Sequence, residues 1–257
     1  MRQNAGSEGE RFGGVSVVVP TFNEAGNVGE LVRRLATVLD PDVSEILIID
    51  DSSDGTASEA AGAAERVLNK VEVVHRDEPA GGLSGAVLTG MALAVHRWVV
   101  VMDGDLQHPP EDLPGLIAAG EQRGADIVVA SRYLDGGSAG GLEGSVRHLV
   151  SRVSTLAARA LFPRRLRQCT DPMTGFFAVR RDALDLEAMR PQGFKILLEV
   201  LLRHRLTMTE IPFSFGARGA GHSKATLANG AAYLRQLVAL RFHSPSAARS
   251  ATAVEVV

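Results

Sequence analysis

Asp103 and Asp105 stand one residue apart directly after the apolar run Trp98-Val99-Val100-Val101-Met102. Two carboxylates at that spacing repel each other unless a cation lies between them. Oxygen donors of this kind suit Mg²⁺ or Mn²⁺, ions that take one or two carboxylates and complete their shell with substrate phosphates. An ordinary Asp-Gly turn would need the same residues and do no chemistry, so this stretch alone leaves both readings open. An EF-hand loop is excluded, because its required Gly and distal Glu do not follow at the right offsets. Carboxylates recur in the same setting twice more. Glu24 follows the apolar run Val15–Val19, and Asp50 and Asp51 follow Glu45–Ile49. Three acidic strand ends on one side of a sheet repel one another unless a ligand with hydroxyls and a metal neutralises them.

The elements that would carry these residues follow from periodicity. Val15–Val19, Glu45–Ile49, Val71–Val74, Trp98–Met102 and Ile127–Ala130 read as buried strands. Helices fall between them. The first is capped by Asn27, with Val28, Leu31, Val32, Leu35, Val38 and Leu39 on one stripe. The next is Ala-rich, another opens near Ser84 after the Gly-rich loop Pro79–Gly85, and a fourth begins about Glu111. Alternation of this kind predicts an α/β fold, a Rossmann-like, mostly parallel sheet flanked by helices in a single domain. Ligands of such sheets sit beyond the carboxyl ends of the strands, where the acidic residues lie. The dinucleotide version fits badly, since Pro20-Thr21-Phe22-Asn23-Glu24 stands where a G-x-G-x-x-G should be.

The 257 residues are 45% hydrophobic and 22% charged, enough for one large core. A net charge of −3 argues against a nucleic-acid partner, but it conceals an asymmetry. Residues 1–143 hold 10 Lys and Arg against 23 Asp and Glu, whereas residues 144–257 hold 17 against 7. An acidic half suited to metal adjoins a basic half suited to phosphates or an anionic membrane surface. The single cysteine, Cys169, can form no internal disulfide, which fits a reducing compartment, and it reads as a small apolar residue. No apolar run approaches the about 20 residues that span a bilayer, and no signal peptide is evident. The expected organisation is a disordered tail over 1–14, one domain over 15–243 divided near 143, and a disordered tail over 244–257.

The segments VSVVVPTFNE, ILIIDDSSDGT, VVVMDGDLQHPPEDLP, VVASRYLDGG, DPMTGFFAVRR, EIPFSF and GHSK occur here in the order found in family 2 glycosyltransferases. More narrowly, the chain resembles the polyprenol-phosphate sugar synthases, among them the dolichol-phosphate mannosyltransferases, from about Val15 to Leu240. The resemblance implies a GT-A fold, a nucleotide-sugar donor, and Mg²⁺ or Mn²⁺ held by Asp103, Asp105 and Gln107. It carries Pro20, Thr21, Asn23, Glu24, Asp50 and Asp51 over to the nucleotide site, with Asp103 beside the diphosphate and Asp105 in catalysis. The loop Asp50–Thr56 reads DDSSDGT, one residue shorter than the family's usual DDSSPDGT, which leaves the partner of Asp54 to be found.

The basic half then receives the acceptor. Between Gly144 and Thr170 lie six arginines and no acidic residue, on apolar positions spaced for an amphipathic helix. Arg147 and Ser151 are four apart and match the family's R-x-x-x-S, associated with a lipid phosphate. Arg132, ending the strand before, joins them. Arg164, Arg165 and Arg167 read as a solvated basic face, with a membrane surface as the second reading. Asp171, in Asp171-Pro172-Met173-Thr174-Gly175, is either a turn residue or a neighbour of the transferred sugar. Gly193-Phe194-Lys195 with Glu199 resembles a family helix whose Glu is either ion-paired or a sugar ligand. Met208–Phe213 reads as a last strand, followed by a basic loop whose Arg218 and Lys224 would cover the donor diphosphate. A helix over about 227–242 would pack on the domain or lie at a membrane.

The implied reaction is inverting transfer of mannose from GDP-mannose to polyprenyl (dolichyl) monophosphate. Glucose from UDP-glucose is the alternative donor, and a non-catalytic nucleotide-sugar binding protein the alternative outside enzymes. A processive polysaccharide synthase fits poorly, for want of spans and of its Gln-x-x-Arg-Trp motif. The expected location is cytoplasmic, peripheral at the cytoplasmic face of a membrane, with room for an anchoring partner protein.

Overall fold

The computed structural model describes residues 14–138, 145–190, 194–216, 233 and 236–241, with 145–152 as helix backbone alone. Seven strands form one sheet: β1 (Val15–Thr21), β2 (Ser44–Asp50), β3 (Lys70–His75), β4 (Trp98–Val101), β5 (Ile127–Ser131), β6 (Phe177–Arg180) and β7 (Met208–Pro212). Their order is β3-β2-β1-β4-β6-β5-β7. Strands β3, β2, β1 and β4 are parallel, as are β5 and β7, while β6 runs antiparallel between β4 and β5. The sheet is therefore mostly parallel, as expected. The insertion of β6 between two strands consecutive in the chain is the feature the alternation did not disclose.

Six helices cover the sheet: α1 (Val28–Val38), α2 (Thr56–Ala64), α3 (Gly82–Leu93), α4 (Leu113–Arg123), α5 (Ser145–Leu161) and α6 (Ile196–Arg203). Successive strand residues point to opposite faces, so the strands feed two cores. Val17, Val19, Ile46, Ile48, Trp98 and Val100 pack beneath α1, α2 and α4. Val18, Leu47, Ile49, Val99 and Val101 pack beneath α3, α5 and α6. This double burial is why the strands read as unbroken apolar runs and not as alternating ones. Fit is tight where helices cross the sheet. A Cβ on Gly120 of α4 would lie 2.5 Å from the ring of Trp98, whose Nε1 donates to Glu121 at 2.7 Å. The expected stripe of α1 is buried at Val28, Leu31, Val32 and Leu35. Asn27 stands at its N-cap, but its side chain does not cap the helix; its amide donates instead to Glu24 Oε2 at 2.9 Å.

The carboxyl ends of β1, β2 and β4 share one edge of the sheet, through the registers Thr21 with Asp50 and Val18 with Val101. Because β6 is antiparallel, it begins at this edge, with Phe177 opposite Val101. The turn before β6 is thereby set against the residues that follow β4. Residues 236–241 form a helical segment, and it is tied to the domain by Gln236 Nε2, which donates to Lys195 O at 3.1 Å.

Candidate active site

At the ends of β1 and β2 two loops are stapled together. Asn23 takes a positive φ of 52°, its N–H donates to Ser52 Oγ at 2.7 Å, and its Oδ1 accepts from Ser53 N at 3.1 Å. Glu24 N donates to Thr56 Oγ1 at 2.9 Å. In the shortened loop, Asp54 turns back on its own chain and accepts from the amide and hydroxyl of Thr56. Asp50 is fully buried, accepting from Thr21 Oγ1 at 2.7 Å, Ser52 Oγ at 2.5 Å and His75 Nδ1 at 2.9 Å. Burial opposes its ionisation, but the hydrogen bonds from Ser52, Thr21 and His75 outweigh it and hold the carboxyl below the usual range. Asp50 therefore fixes the loop from inside and presents no carboxylate to a ligand. Its neighbour Asp51 forms a bidentate pair with Arg76, Nε to Oδ1 at 2.7 Å and Nη2 to Oδ2 at 2.6 Å. The same guanidinium donates to Ala80 O and Gly82 O, binding the Gly-rich loop that opens α3 to the end of β2.

Beyond β4 the chain folds over an aromatic floor. His108 is buried, stacks on Phe176 at 5.2 Å between centroids, and meets Phe213 and Phe215 edge-on. Its Nδ1 accepts the Asp103 amide at 2.9 Å, which fixes Nε2 as the protonated nitrogen of the neutral ring. Burial pushes its pKa down to about 4, against the opposing charge of Asp105. Asp105 Oδ1 accepts from Gln107 N at 3.1 Å around Leu106, which has φ 66°. Gln107 is locked to Gly216 both ways: its Nε2 donates to Gly216 O at 3.1 Å, and its carbonyl accepts from Gly216 N at 2.8 Å. The chain leading towards Arg218 is thus anchored on the Asp103–Gln107 turn. The Asp103 side chain is 37% exposed. A Cβ on Gly175 would lie 2.8 Å from its Oδ1, so only glycine leaves that carboxylate room.

On the other side, Arg132 at the end of β5 and Asp171 form a buried bidentate pair, Nε to Oδ2 at 2.7 Å and Nη2 to Oδ1 at 2.9 Å. Burial disfavours the Arg132 cation, but Asp171 overcomes this and raises its pKa further. The guanidinium also lies 5.4 Å from the centroid of the Phe215 ring. Close by, Lys195 Nζ donates to Met173 O at 3.0 Å, and burial, aided by Arg132, pushes its pKa down to about 8. Glu199 Oε1 is ion-paired to Arg203 at 2.7 Å and accepts from Arg190 N, while its Oε2 is buried with no hydrogen-bond partner among the described residues. Cys169 is buried and its thiol is pushed well up by burial, in keeping with a small apolar residue.

The structure thus brings together Thr21, Asn23, Glu24, Asp50 and Asp51 at one end of the edge, and Asp103, Asp105 and Gln107 at the next strand end. Pro20 lies within β1 beside Ile49. Arg147 and Ser151 fall in α5, one turn apart, with their side chains outside the described residues. Arg218 and Lys224 lie outside the described residues altogether, as does most of the proposed last helix. The sequence reading missed His108, Arg76, Lys195 and Gly175 as site residues. His108 and Lys195 stood inside quoted motifs, and Arg76 ends a strand on the acidic edge, but only the fold gives their partners.

The chain matches the model of Glycosyl transferase family 2 over residues 16–186. It is 38% identical over 229 residues to dolichol-phosphate mannosyltransferase of Pyrococcus furiosus, covering 88% of this chain and 63% of that protein's length. It is 33% identical to dolichol-phosphate mannosyltransferase of Saccharomyces cerevisiae, covering 86% and 85% of the two chains. Among solved structures, glucosyl-3-phosphoglycerate synthase of Mycobacterium tuberculosis, in complex with Mn²⁺, UDP and phosphoglyceric acid, superposes with a TM-score of 0.68. That match has 20% identity and covers 93% of this chain and 82% of the other, and it supports the GT-A fold alone. On the family match and on identities above 30% across most of its length, this chain belongs to glycosyl transferase family 2.

Proposed function

We propose that this protein transfers mannose from GDP-mannose to a polyprenyl monophosphate with inversion at the anomeric carbon. The reading is carried by relatives named dolichol-phosphate mannosyltransferase that align with nearly all of this chain. The strand-end site gives it physical content. Asp103 and Asp105 offer hard oxygen donors, and Gly175 keeps the Asp103 carboxylate clear. That suits Mg²⁺ or Mn²⁺, for which two carboxylates suffice when substrate phosphates complete the shell. Asp103 and Asp105, with the Gln107 side chain, would hold the ion. A divalent cation bound there would stabilise the charge of the leaving diphosphate.

The protein's own residues do the rest by placement. Asp51, oriented by its bidentate pair with Arg76, is positioned to accept from ribose hydroxyls, with Pro20, Thr21, Asn23 and Glu24 around the nucleoside. Arg218 and Lys224 would cover the diphosphate, while Arg147 and Ser151 would hold the acceptor phosphate. A phosphate monoester has its second pKa near ~6 and is mostly dianionic at neutral pH, so no general base is required. Alignment and charge stabilisation carry the reaction. Direct displacement on an α-linked donor yields a β-linked product.

The acceptor's lipid chain calls for an interfacial seat. Among the described residues no helix is long and apolar enough to cross a membrane. Val153, Leu156 and Leu161 of α5 are 46–69% exposed, and Val238 is 57% exposed. An open groove beside them is lined by Leu161, Phe162, Leu240, Arg164, Arg165 and Arg241. Apolar side chains ringed by arginine favour peripheral docking on an anionic surface over a purely solvated face.

The deciding experiment incubates purified protein with radiolabelled GDP-mannose or UDP-glucose, dolichyl phosphate in vesicles, and Mn²⁺ or EDTA, then extracts the lipid. The expected result is a mannolipid formed with Mn²⁺, abolished by EDTA and by Asp105→Asn. Lipid labelled from UDP-glucose would replace the donor assignment. Nucleotide binding with no lipid product would favour the binding-protein reading.

A further inference from the structure

Accepting the polyprenyl-phosphate reading above, we infer that Lys195 is a further acceptor-phosphate residue and supplies the cation that the buried Arg132 cannot. The geometry of Arg132 is the starting point. Its Nε and Nη2 are spent on both oxygens of Asp171, and the pair lies almost wholly out of solvent. The two charges cancel locally, so the guanidinium offers an incoming dianion hydrogen-bond donors but little net charge.

Lys195 is the opposite case. Its ammonium carries three N–H donors, and its one hydrogen bond goes to a neutral carbonyl, Met173 O at 3.0 Å. The Phe194 ring lies 4.9 Å from Nζ and adds only a weak attraction. Among the described residues no carboxylate stands within ion-pair distance of it. A partly buried cation with no carboxylate in direct contact is costly, and an unbranched apolar side chain would fill the same space without that cost. The arrangement makes sense if the counter-charge arrives with a ligand.

Its position indicates which ligand. Met173 belongs to the turn between Asp171 and Gly175, the same turn that packs against the Asp103 carboxylate. Lys195 is therefore bonded to that turn and feels the charges of Arg132, Asp103 and Asp171. A donor diphosphate has the divalent cation to answer its charge. The attacking phosphate has no metal, and Arg132 beside it is already neutralised. Arg147 is then the one uncompensated cation assigned to the dianionic acceptor phosphate, and Lys195 is the described cation placed to add a second.

The test compares wild type with Lys195→Met in three measurements. Calorimetry with a short, water-soluble polyprenyl phosphate reads acceptor binding without turnover. Calorimetry with GDP and Mn²⁺ reads the donor site. Thermal unfolding reads stability. Acceptor affinity should fall by about one to two decades, the GDP affinity should stay within about twofold, and the melting temperature should not fall. A side chain kept for structure alone would lower the melting temperature and leave acceptor affinity unchanged, and that result overturns the inference. Loss of GDP affinity with unchanged acceptor affinity overturns it too, in favour of a diphosphate role. If wild type binds no polyprenyl phosphate and transfers nothing to it, the functional reading itself fails and this inference with it. If wild type transfers normally and Lys195→Met binds acceptor equally well, only the inference fails.

Discussion

Replacing Arg132 with Met removes one half of a buried ion pair and leaves the other half in place. Asp171 is fully buried, and both of its oxygens lean on the guanidinium at 2.7 and 2.9 Å. With that group gone, one backbone amide remains, Arg132 N at 3.3 Å from Oδ2. Breaking a buried pair by removing one partner costs about 3–5 kcal/mol, because an uncompensated charge stays buried. Domains are stable by about 5–15 kcal/mol in all. With a urea slope near the upper end of the usual range, about 2.5 kcal/mol per molar, the unfolding midpoint should drop by roughly 1–2 M. The double substitution Arg132→Met/Asp171→Leu removes both charges and should recover most of the loss, to within about 1 kcal/mol of wild type. Urea unfolding at pH 7, followed by circular dichroism, measures all three proteins, and the double variant serves even if the single one does not fold. A single variant losing less than about 1 kcal/mol would refute the reasoning. So would a double variant no more stable than the single, since Asp171 would then not be the source of the cost.

Two further outcomes follow from the same geometry. His108 is held neutral with its pKa near 4, below the ordinary histidine value, so between about pH 6.5 and 4 the unfolded chain binds a proton that the fold refuses. Acidification in EDTA should therefore destabilise wild type by up to about 3 kcal/mol over that window. The stability gap to His108→Gln should narrow as pH falls, an internal comparison that cancels the opposing raised carboxyls of Asp112 and Glu210; parallel pH profiles would count against a neutral buried ring. Arg76→Lys keeps the charge but loses the fork that grips Asp51, Ala80 and Gly82. It should weaken GDP binding with Mn²⁺ by about tenfold with little change in KM for lipid phosphate, and an unchanged GDP affinity would remove Arg76 from the nucleotide site.

The two halves of the fold were unequally legible in the sequence. Strands β1, β2, β4 and β5 declare themselves because burial on both faces leaves an unbroken apolar run, whatever lies alongside. That is also the limit of the signal, since burial says nothing of neighbours. Phe177–Arg180 is four residues long, and its place between β4 and β5 comes from pairing across the chain that no local pattern encodes. The same limit governs the charged residues. Asp50, Asp51, Asp103, Asp105 and Asp171 all read as carboxylates near a turn, yet three of the five are satisfied by partners distant in the sequence. His75 and Arg76 lie 25 residues from Asp50 and Asp51, and Arg132 lies 39 residues from Asp171.

These internal partners change the electrostatic argument for a metal. Three acidic strand ends on one edge first suggested a shared need for a cation. In the fold, the Asp50 carboxylate is bonded to Thr21, Ser52 and His75, and Asp51 is neutralised by Arg76. Glu24 is engaged with Asn27, and Asp171 with Arg132. Asp103 Oδ2 lies 3.7 Å from Nδ1 of the buried His108, which is held neutral. The repulsion that made a cation attractive for the whole edge is thus relieved by protein groups at the ends of β1 and β2 and in the turn before β6. The case for a divalent ion therefore narrows to the two carboxylates after β4 and to the glycine that leaves one of them accessible.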